Sequence, residues 1–303
     1  MSNVIAVIWD FDRTLVNGYM QDPIFSYYGV DSASFWKEVN ALPDKYLREQ
    51  NVRVNKDTIY LNHFIRYAKK GIFKGLNNEK LRSFGKELVF YEGVPEIFAK
   101  TKKMIEDNPV YREFDLKLEH YIVSTGMSEV IKGSSVMAYV DGIWGCELLE
   151  EDTADGSVIS EIGYTIDNTS KTRAIFEINK GIPKHPEIDV NAKLPETLRR
   201  VSFTNMIYIA DGPSDIPAFS LVNKSGGSTF AIYPRGDMSA FRQVEKLRSD
   251  GRIHMYAEAD YREGTTAYMW ITDKIREKAD KIVAGEKERL MSNVSGVPRH
   301  LND

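Results

Sequence analysis

The sequence predicts an α/β fold, a doubly wound parallel sheet with an inserted all-helical cap. Apolar runs that suit buried strands alternate along the chain with segments in which apolar residues recur at helical spacing. The first run, at 4–9, is continuously apolar, as are strands of parallel sheets that helices cover on both faces. It ends abruptly in Asp10-Phe11-Asp12, and ligands of such sheets bind just past the carboxyl ends of the strands. Strand and helix patterns in alternation therefore favour the α/β class.

The segment at 18–90 is predicted to be the helical cap. It is rich in Tyr, Phe, Lys and Asn, and its apolar residues form three patterns at helical spacing, which indicates three or four helices. Pro95 then suits the first turn of a helix that returns the chain to the core. The predicted domains are an α/β core formed by 1–17 and 91–291, the cap at 18–90, and a loose tail at 292–303.

The rest of the core is predicted from similar patterns. The predicted elements are a strand at 120–123, a helix through 130–131, a hairpin at 143–165 with an acidic turn at Asp155-Gly156, a helix from 170, strands at 206–210 and 229–233, an edge strand at 253–256, and an amphipathic helix at 265–291.

The composition excludes several classes of function. The chain has 303 residues, a net charge of −4 and 28% charged residues, so it lacks the overall basic character of general nucleic-acid or membrane-surface binders. No apolar run is long enough to span a membrane, and the N-terminus leaves no room for a signal peptide before the first strand. The single Cys146 cannot form an internal disulfide, which fits a reducing compartment. We therefore expect a cytoplasmic protein, a monomer or a homodimer.

The two carboxylates after the first strand carry the strongest chemical signal. Asp10 and Asp12 should stand at the mouth of a cleft, where a pair of carboxylates is costly unless a cation accompanies it. A carboxylate can form an aspartyl-phosphate when the phosphoryl group is polarised. The second carboxylate can protonate the leaving oxygen and later activate water. This pattern predicts magnesium-assisted phosphoryl transfer with Asp10 as nucleophile and Asp12 as acid/base.

Polar residues at two other strand ends extend this prediction. Ser124, with the amides of Thr125 and Gly126, is expected to hold phosphate oxygens, although Thr125 could supply the hydroxyl instead. Asp211 follows the strand at 206–210 and is expected to bind Mg²⁺ together with Asp10 and the backbone carbonyl of Asp12.

Three further residues are expected to support the site. Lys171 near a helix start should offset charge on the nucleophile and the phosphate, with Lys180 and Lys184 as rivals later in the sequence. Asp215 could assist the metal, or could merely favour a helix N-terminus. Thr14 should hydrogen-bond within the loop after the first strand.

Together these residues resemble the signature of the haloacid dehalogenase (HAD) superfamily, in the phosphoserine-phosphatase-like part of its phosphatase branch. Asp10-x-Asp12-x-Thr14 is similar to the first motif, Ser124 with Gly126 to the second, Lys171 to the third, and Asp211-Gly-x-x-Asp215 to the fourth. The resemblance covers about residues 1–235 and implies a Rossmann-like core, a helical cap, Mg²⁺ and the roles given above.

The chain also departs from that group. Phosphoserine-specific members carry a glutamate where this chain has Tyr19, so the resemblance does not extend to that substrate. The fourth motif reads Ala210-Asp-Gly-Pro-Ser-Asp215, where those enzymes commonly have Gly-Asp-Gly-x-Asn-Asp, and the chain is longer past residue 235.

The sequence therefore predicts a Mg²⁺-dependent phosphatase that hydrolyses a small phosphorylated metabolite through an aspartyl-phosphate. Two alternatives stay open. A phosphotransferase or phosphomutase would hand the same phosphoryl group to another acceptor. A non-catalytic protein would bind the phosphorylated ligand without turnover. The sequence identifies neither the substrate nor the cap residues that select it.

Overall fold

A computed structural model describes residues 2–154 and 156–294 of the chain. Asp155, half of the predicted hairpin turn, and the predicted tail from residue 295 onward lie outside the described residues. The last helix ends at Val294, so the first three residues of the predicted tail belong to that helix.

In the part of the chain that the structure describes, seven strands form one sheet in the order β4-β3-β2-β1-β5-β6-β7. Their bounds are β1 Val4–Trp9, β2 Lys117–Met127, β3 Gly142–Thr153, β4 Gly156–Tyr164, β5 Met206–Ala210, β6 Ser228–Tyr233 and β7 Met255–Glu258. Neighbouring strands pair in parallel except β3 and β4, which form the predicted hairpin. The chain moves outward from β1 to β2 and β3, and then returns to place β5 on the other side of β1. The carboxyl end of β1 therefore lies at the switch point where open α/β sheets bind ligands.

Eleven α-helices accompany the sheet within the described residues. They are α1 Asp22–Tyr28, α2 Ser32–Gln50, α3 Ile59–Lys69, α4 Asn78–Phe84, α5 Glu96–Glu106, α6 Pro109–Glu113, α7 Ser128–Gly133, α8 Lys171–Lys180, α9 Ile216–Lys224, α10 Met238–Ser249 and α11 Thr266–Val294. Helices α1 to α4 lie within the segment 18–90, and their number agrees with the three or four expected there. None of the described helices combines the length and the apolar character that crossing a membrane would require.

The alternating side chains of β1 belong to two apolar layers, which is the arrangement of a doubly wound sheet. Ile5, Val7 and Trp9 pack with residues of α5, α11 and the cap. Val4 and Ile8 belong to the opposite layer, with residues of α8, α9 and α10. The predicted fold class, an α/β sheet with a helical cap, is therefore confirmed.

The segment past residue 235 is an integral part of this core. Its strand β7 completes the sheet beside β6, and buried residues of α11, such as Ile271 and Ile275, lie in the same layer as Trp9. The buried Tyr261 donates a hydrogen bond of 2.6 Å to the carbonyl of Thr14, in the loop after β1. This segment therefore supports the loop that carries the paired aspartates.

Candidate active site

The predicted site residues come together at the carboxyl ends of β1, β2 and β5. Asp10 and Asp12 follow β1, Ser124 lies near the end of β2, and Asp211 follows β5. All four line one cavity of about 380 Å³ between the sheet and the cap. Lys171, the first residue of α8, joins this group, since its ammonium contacts Asp10.

A buried ion network lies at the floor of the site. The Nζ of Lys171 donates to Asp10 Oδ1 and to Asp215 Oδ1, each at 2.6 Å. The hydroxyl of Tyr208 donates to the same Asp215 oxygen at 2.6 Å, and Ser214 Oγ donates to Asp215 Oδ2 at 2.9 Å. Asp10, Lys171 and Asp215 are all less than 7% exposed. Buried charges persist only when they are paired and hydrogen-bonded, and this network meets both conditions.

Asp215 therefore does more than favour a helix N-terminus. It lies just before α9 and has a non-helical backbone, but both of its carboxylate oxygens accept bonds from side chains of the network. Through Lys171 it holds the ammonium against Asp10. Lys180 is the last residue of α8, the helix that Lys171 begins. Its ammonium donates instead to backbone carbonyls of the loop after α8, including that of Ala192 at 2.6 Å. Lys184 lies beyond the helix, so the geometry selects Lys171 among the three lysines.

Burial dominates the protonation equilibria of the network. It raises the pKa of Asp10 and of Asp211, and further carboxylates nearby add to the effect, while Lys171 opposes it. Burial by itself lowers the pKa of Lys171, but the attraction of Asp10 and Asp215 outweighs it and the pKa lies above its usual range. The ammonium is thus a fixed positive charge at the floor of the site.

The loop after β1 presents Asp12 to the cavity. Asp12 Oδ1 accepts the backbone N–H of Met20 at 2.9 Å, so the carboxylate is tied to the start of the cap. Arg13 follows with a positive φ of 57°, which turns the chain sharply. Its guanidinium lies 3.7 Å from Asp211 and 3.3 Å from Asp237. Thr14 donates its hydroxyl to Asp10 Oδ2 at 3.3 Å, which agrees with the supporting role expected of it.

The end of β2 is shaped differently from the prediction. Ser124 is buried and lines the cavity, but its Oγ accepts the N–H of Gly126 at 3.0 Å, so one of the amides expected to bind phosphate is already engaged. Gly126 lies close to the Met20 side chain: a Cβ there would come within 2.1 Å of the terminal methyl of Met20, which would have to move. The following helix α7 begins only at Ser128.

Thr125 connects this strand end to the cap. Its carbonyl accepts the hydroxyl of Tyr60, on α3, at 2.8 Å, and the thiol of Cys146, on β3, lies 3.3 Å away. Tyr60 also lines the cavity. The cap is therefore hydrogen-bonded directly to the strand end that was predicted to hold phosphate.

The residues present fit a divalent metal. Carboxylate oxygens of Asp10, Asp211 and Asp215 all lie within 4.8 Å of one another. Together with Asp12 they make four carboxylates, against the two cationic side chains of Lys171 and Arg13, so the site has an excess of two negative charges if all are ionised. Oxygen donors and this excess suit Mg²⁺. Asp10 and Asp211 belong to the predicted set of metal ligands. The side chain of Asp12 is not part of the group of three carboxylates; only the backbone carbonyl of Asp12 had been expected to bind the metal.

Several residues of the site were not found from the sequence. Tyr208 could have been suspected, because a tyrosine in a buried apolar strand needs a partner for its hydroxyl. Asp237 and Tyr261 reach the first loop from more than 200 residues away, and no local pattern marks them. Gln21, in the cavity wall, has ordinary surroundings in the sequence.

Comparisons with known proteins find similar solved structures and one curated relative. No family model matches the chain. Two solved structures of phosphoserine phosphatase are similar: one in apo form (18% identity, 86% of this chain and 96% of that chain, TM-score 0.49) and one with a phospho-aspartyl intermediate analogue (18%, 83% and 92%, 0.48). A HAD family hydrolase from Salmonella enterica serovar Typhi matches with 14% identity, 84% of this chain, 67% of that chain and a TM-score of 0.49.

The fold and the arrangement of the site residues define an α/β protein with a helical cap and a cluster of carboxylates at the carboxyl edge of its sheet. Among curated proteins, an uncharacterized protein of Borreliella burgdorferi is 37% identical over 287 residues, which cover 90% of this chain and 97% of that one. The chain belongs to the same family as that protein.

Proposed function

We propose that this protein is a Mg²⁺-dependent phosphatase that hydrolyses a small phosphomonoester through an aspartyl-phosphate. One observation carries the proposal: the buried Asp10 lies at the end of β1 with Lys171 2.6 Å away, in a cavity that also contains Asp12. A nucleophilic carboxylate, a fixed positive charge and a second carboxylate are the groups that this reaction needs.

In the proposed reaction an oxygen of Asp10 forms a bond to phosphorus while the bond from phosphorus to the leaving oxygen breaks. Asp12 gives its proton to that oxygen, and an alcohol departs. Water then attacks phosphorus and its proton goes to Asp12, which regenerates the Asp10 carboxylate and releases phosphate. Lys171 offsets negative charge throughout, and Ser124 is proposed to bind phosphate oxygens.

Asp10 and Asp211, with Asp215 behind them and the carbonyl of Asp12, would hold Mg²⁺. When bound, the ion would balance the excess negative charge and polarise the phosphoryl group. The cap would exclude bulk water during transfer. We also propose that the protein acts on a phosphorylated metabolite in the cytoplasm, as a monomer or a homodimer, which fits its single unpaired cysteine and its acidic net charge.

Release of phosphate from p-nitrophenyl phosphate tests this function. Wild type should turn it over with added Mg²⁺, lose activity on exhaustive chelation and regain it when Mg²⁺ is restored. Asp10→Asn should lower the rate at least about a thousandfold, because an amide is a poor nucleophile. Asp44→Asn, on the exposed surface of the cap, is the matched control and should behave as wild type.

Two results would contradict the proposal. Activity that survives complete chelation would contradict the proposed dependence on a metal. An Asp10→Asn protein with normal turnover and an unchanged circular dichroism spectrum would contradict the proposed role of Asp10 as nucleophile.

A further inference from the structure

The cap side of the cavity contains a buried amide with an unused acceptor. Gln21 is 3% exposed and lines the cavity, and its Oε1 has no hydrogen-bond partner among the described residues. Most buried polar atoms of a folded protein are paired, so an unpaired one at a cavity wall calls for a partner from outside the chain. The carboxamide of Gln21 can both donate and accept hydrogen bonds, so the matching group is one that does the same, such as a hydroxyl.

The position of Gln21 indicates which part of a substrate would reach it. Its neighbour Met20 donates its backbone N–H to Asp12 Oδ1 at 2.9 Å. In the proposed reaction Asp12 protonates the leaving oxygen, so the alcohol part of the substrate lies on the side of Asp12 that faces the cap. Gln21 is therefore placed beside the leaving group and away from the Lys171 side of the site.

The rest of the cap wall combines a flat aromatic surface with neutral polar groups. The indole of Trp36 packs edge-on against Phe35 at 5.4 Å between centroids, and the residue is partly exposed and lines the cavity. Its N–H has no hydrogen-bond partner among the described residues. Val39 adds apolar surface, and the exposed Asn40 adds a second amide.

The charged residues of this wall oppose each other. Lys56 and Asp57 are adjacent in sequence and carry opposite charges, and Asp57 Oδ2 already accepts the N–H of Asn168 at 3.2 Å. The wall as a whole thus offers no net charge to the leaving group. This differs from the metal side, where carboxylates are in excess.

On the premise of the proposed function, we propose that the leaving group is a neutral ring that carries several hydroxyls: a free sugar, or the ribose of a nucleotide. Hydroxyls would pair with the amides of Gln21 and Asn40, and the ring would lie against the indole of Trp36. A cavity of about 380 Å³ has room for such a ring beyond the phosphate. A phosphorylated amino acid would instead set an ammonium and a carboxylate against a wall without net charge.

The test compares kcat/KM on a set of phosphomonoesters. The set contains ribose phosphate, its deoxy analogue, adenosine monophosphate, glycerol phosphate, phosphoserine and p-nitrophenyl phosphate. Wild type should prefer ribose phosphate or adenosine monophosphate, and these two substrates separate the free sugar from the nucleotide. In Gln21→Leu, the kcat/KM ratio of the preferred substrate to p-nitrophenyl phosphate should fall about tenfold, because a hydroxyl of the substrate loses its amide partner.

Two variants complete the design. Gln50→Leu makes the same change on the exposed surface of the cap and should keep the wild-type ratio. Trp36→Leu should lower activity on the ring substrates more than on glycerol phosphate, and this result does not depend on the folding of Gln21→Leu.

The outcomes separate this inference from the proposed function. Turnover of p-nitrophenyl phosphate together with a preference for phosphoserine, or with ratios that neither Gln21→Leu nor Trp36→Leu changes, would overturn the inference and leave the phosphatase intact. Failure to release phosphate from every substrate, with Mg²⁺ present, would contradict the proposed function and the premise of the inference with it.

Discussion

The core and the cap contribute to the same cavity in opposite ways. On the core side Asp10, Lys171 and Asp215 are buried, and they satisfy one another through bonds of 2.6 Å. On the cap side the acceptor of Gln21 is unpaired, and the partly exposed Trp36 lines the cavity. The difference suggests that the fold determines the chemistry before any ligand binds, whereas the groups that would select a substrate are completed only by the substrate.

Loss of the core lysine should have the largest effect among variants outside the nucleophile. Lys171→Met leaves Asp10 and Asp215 facing each other without their shared cation. Turnover of p-nitrophenyl phosphate should fall about 100-fold or more, because fixed electrostatic contacts of this kind contribute that much to catalysis. The free energy of unfolding, measured with urea, should fall by about 3 kcal/mol, as it does when one partner of a buried pair is removed.

The matched control for this variant is Lys224→Met, at an exposed position at the end of α9. It should change neither quantity. An active and equally stable Lys171→Met protein would show that the core network is not what organises the site.

The bond that joins cap and core should matter less. Tyr60→Phe keeps the ring but removes the hydroxyl that donates to the Thr125 carbonyl at 2.8 Å. We expect kcat/KM to fall about three- to tenfold and the protein to lose about 1 kcal/mol of stability, which is the usual contribution of one hydrogen bond.

Tyr28→Phe provides the comparison, since the hydroxyl of Tyr28 donates to the Lys74 carbonyl at 3.1 Å entirely within the cap. It should lower stability without lowering kcat/KM. If both variants lose activity equally, the Tyr60 bond has no special role in joining cap to core.

A buried histidine of the core should affect the stability of the protein in a pH-dependent way. His120 is fully buried; its Nδ1 accepts the N–H of Trp9 at 3.1 Å and its Nε2 lies 3.0 Å from the Thr101 hydroxyl. That hydroxyl donates to the Ile97 carbonyl at 2.7 Å, so the imidazole is neutral with its proton on Nε2. Burial, with some repulsion from Lys102, lowers the pKa of His120 to about 3.

The unfolded chain protonates this histidine below about pH 6.5, while the folded protein resists protonation down to about pH 3. The stability that buried, neutral His120 contributes is therefore fully present above about pH 6.5. As the pH drops through this range, the free energy of unfolding falls by up to about 1.4 kcal/mol per pH unit. In His120→Gln the free energy of unfolding should depend less steeply on pH, because the unfolded chain binds one proton fewer. Urea unfolding between pH 7 and about pH 5 measures this slope. His185→Gln, at an exposed position, is the control. An unchanged slope in His120→Gln would contradict the assignment of His120 as a buried, neutral histidine.

The core of the site could be predicted because its residues lie at strand ends, where local patterns are clear. Asp10, Asp12, Ser124 and Asp211 each end or follow an apolar run, and parallel strands bring such ends to one edge. Lys171 was predicted from its place near a helix start and from the family resemblance. To predict that these residues lie together, one needs to know only the order of the strands and not the packing of the side chains.

Other parts of the molecule depend on contacts that no short stretch of sequence encodes. Asp215 looked like an ordinary residue near a helix N-terminus until the bonds from Tyr208 and Lys171 were visible. Gln21 became notable only because the fold buries it without a partner for its Oε1. Helix α10, which covers one face of the sheet together with α8 and α9, was not assigned from the sequence, although the strands on either side of it were.

The central claim is that Asp10 carries the phosphoryl group during turnover. Wild-type protein can be quenched with acid while it hydrolyses p-nitrophenyl phosphate, and its peptides can then be analysed by mass spectrometry. The account predicts one phosphoryl group on the peptide that contains Asp10, present during turnover and absent once substrate is exhausted. Steady turnover with that peptide unmodified at every quench time, or a phosphoryl group on a different residue, would contradict it.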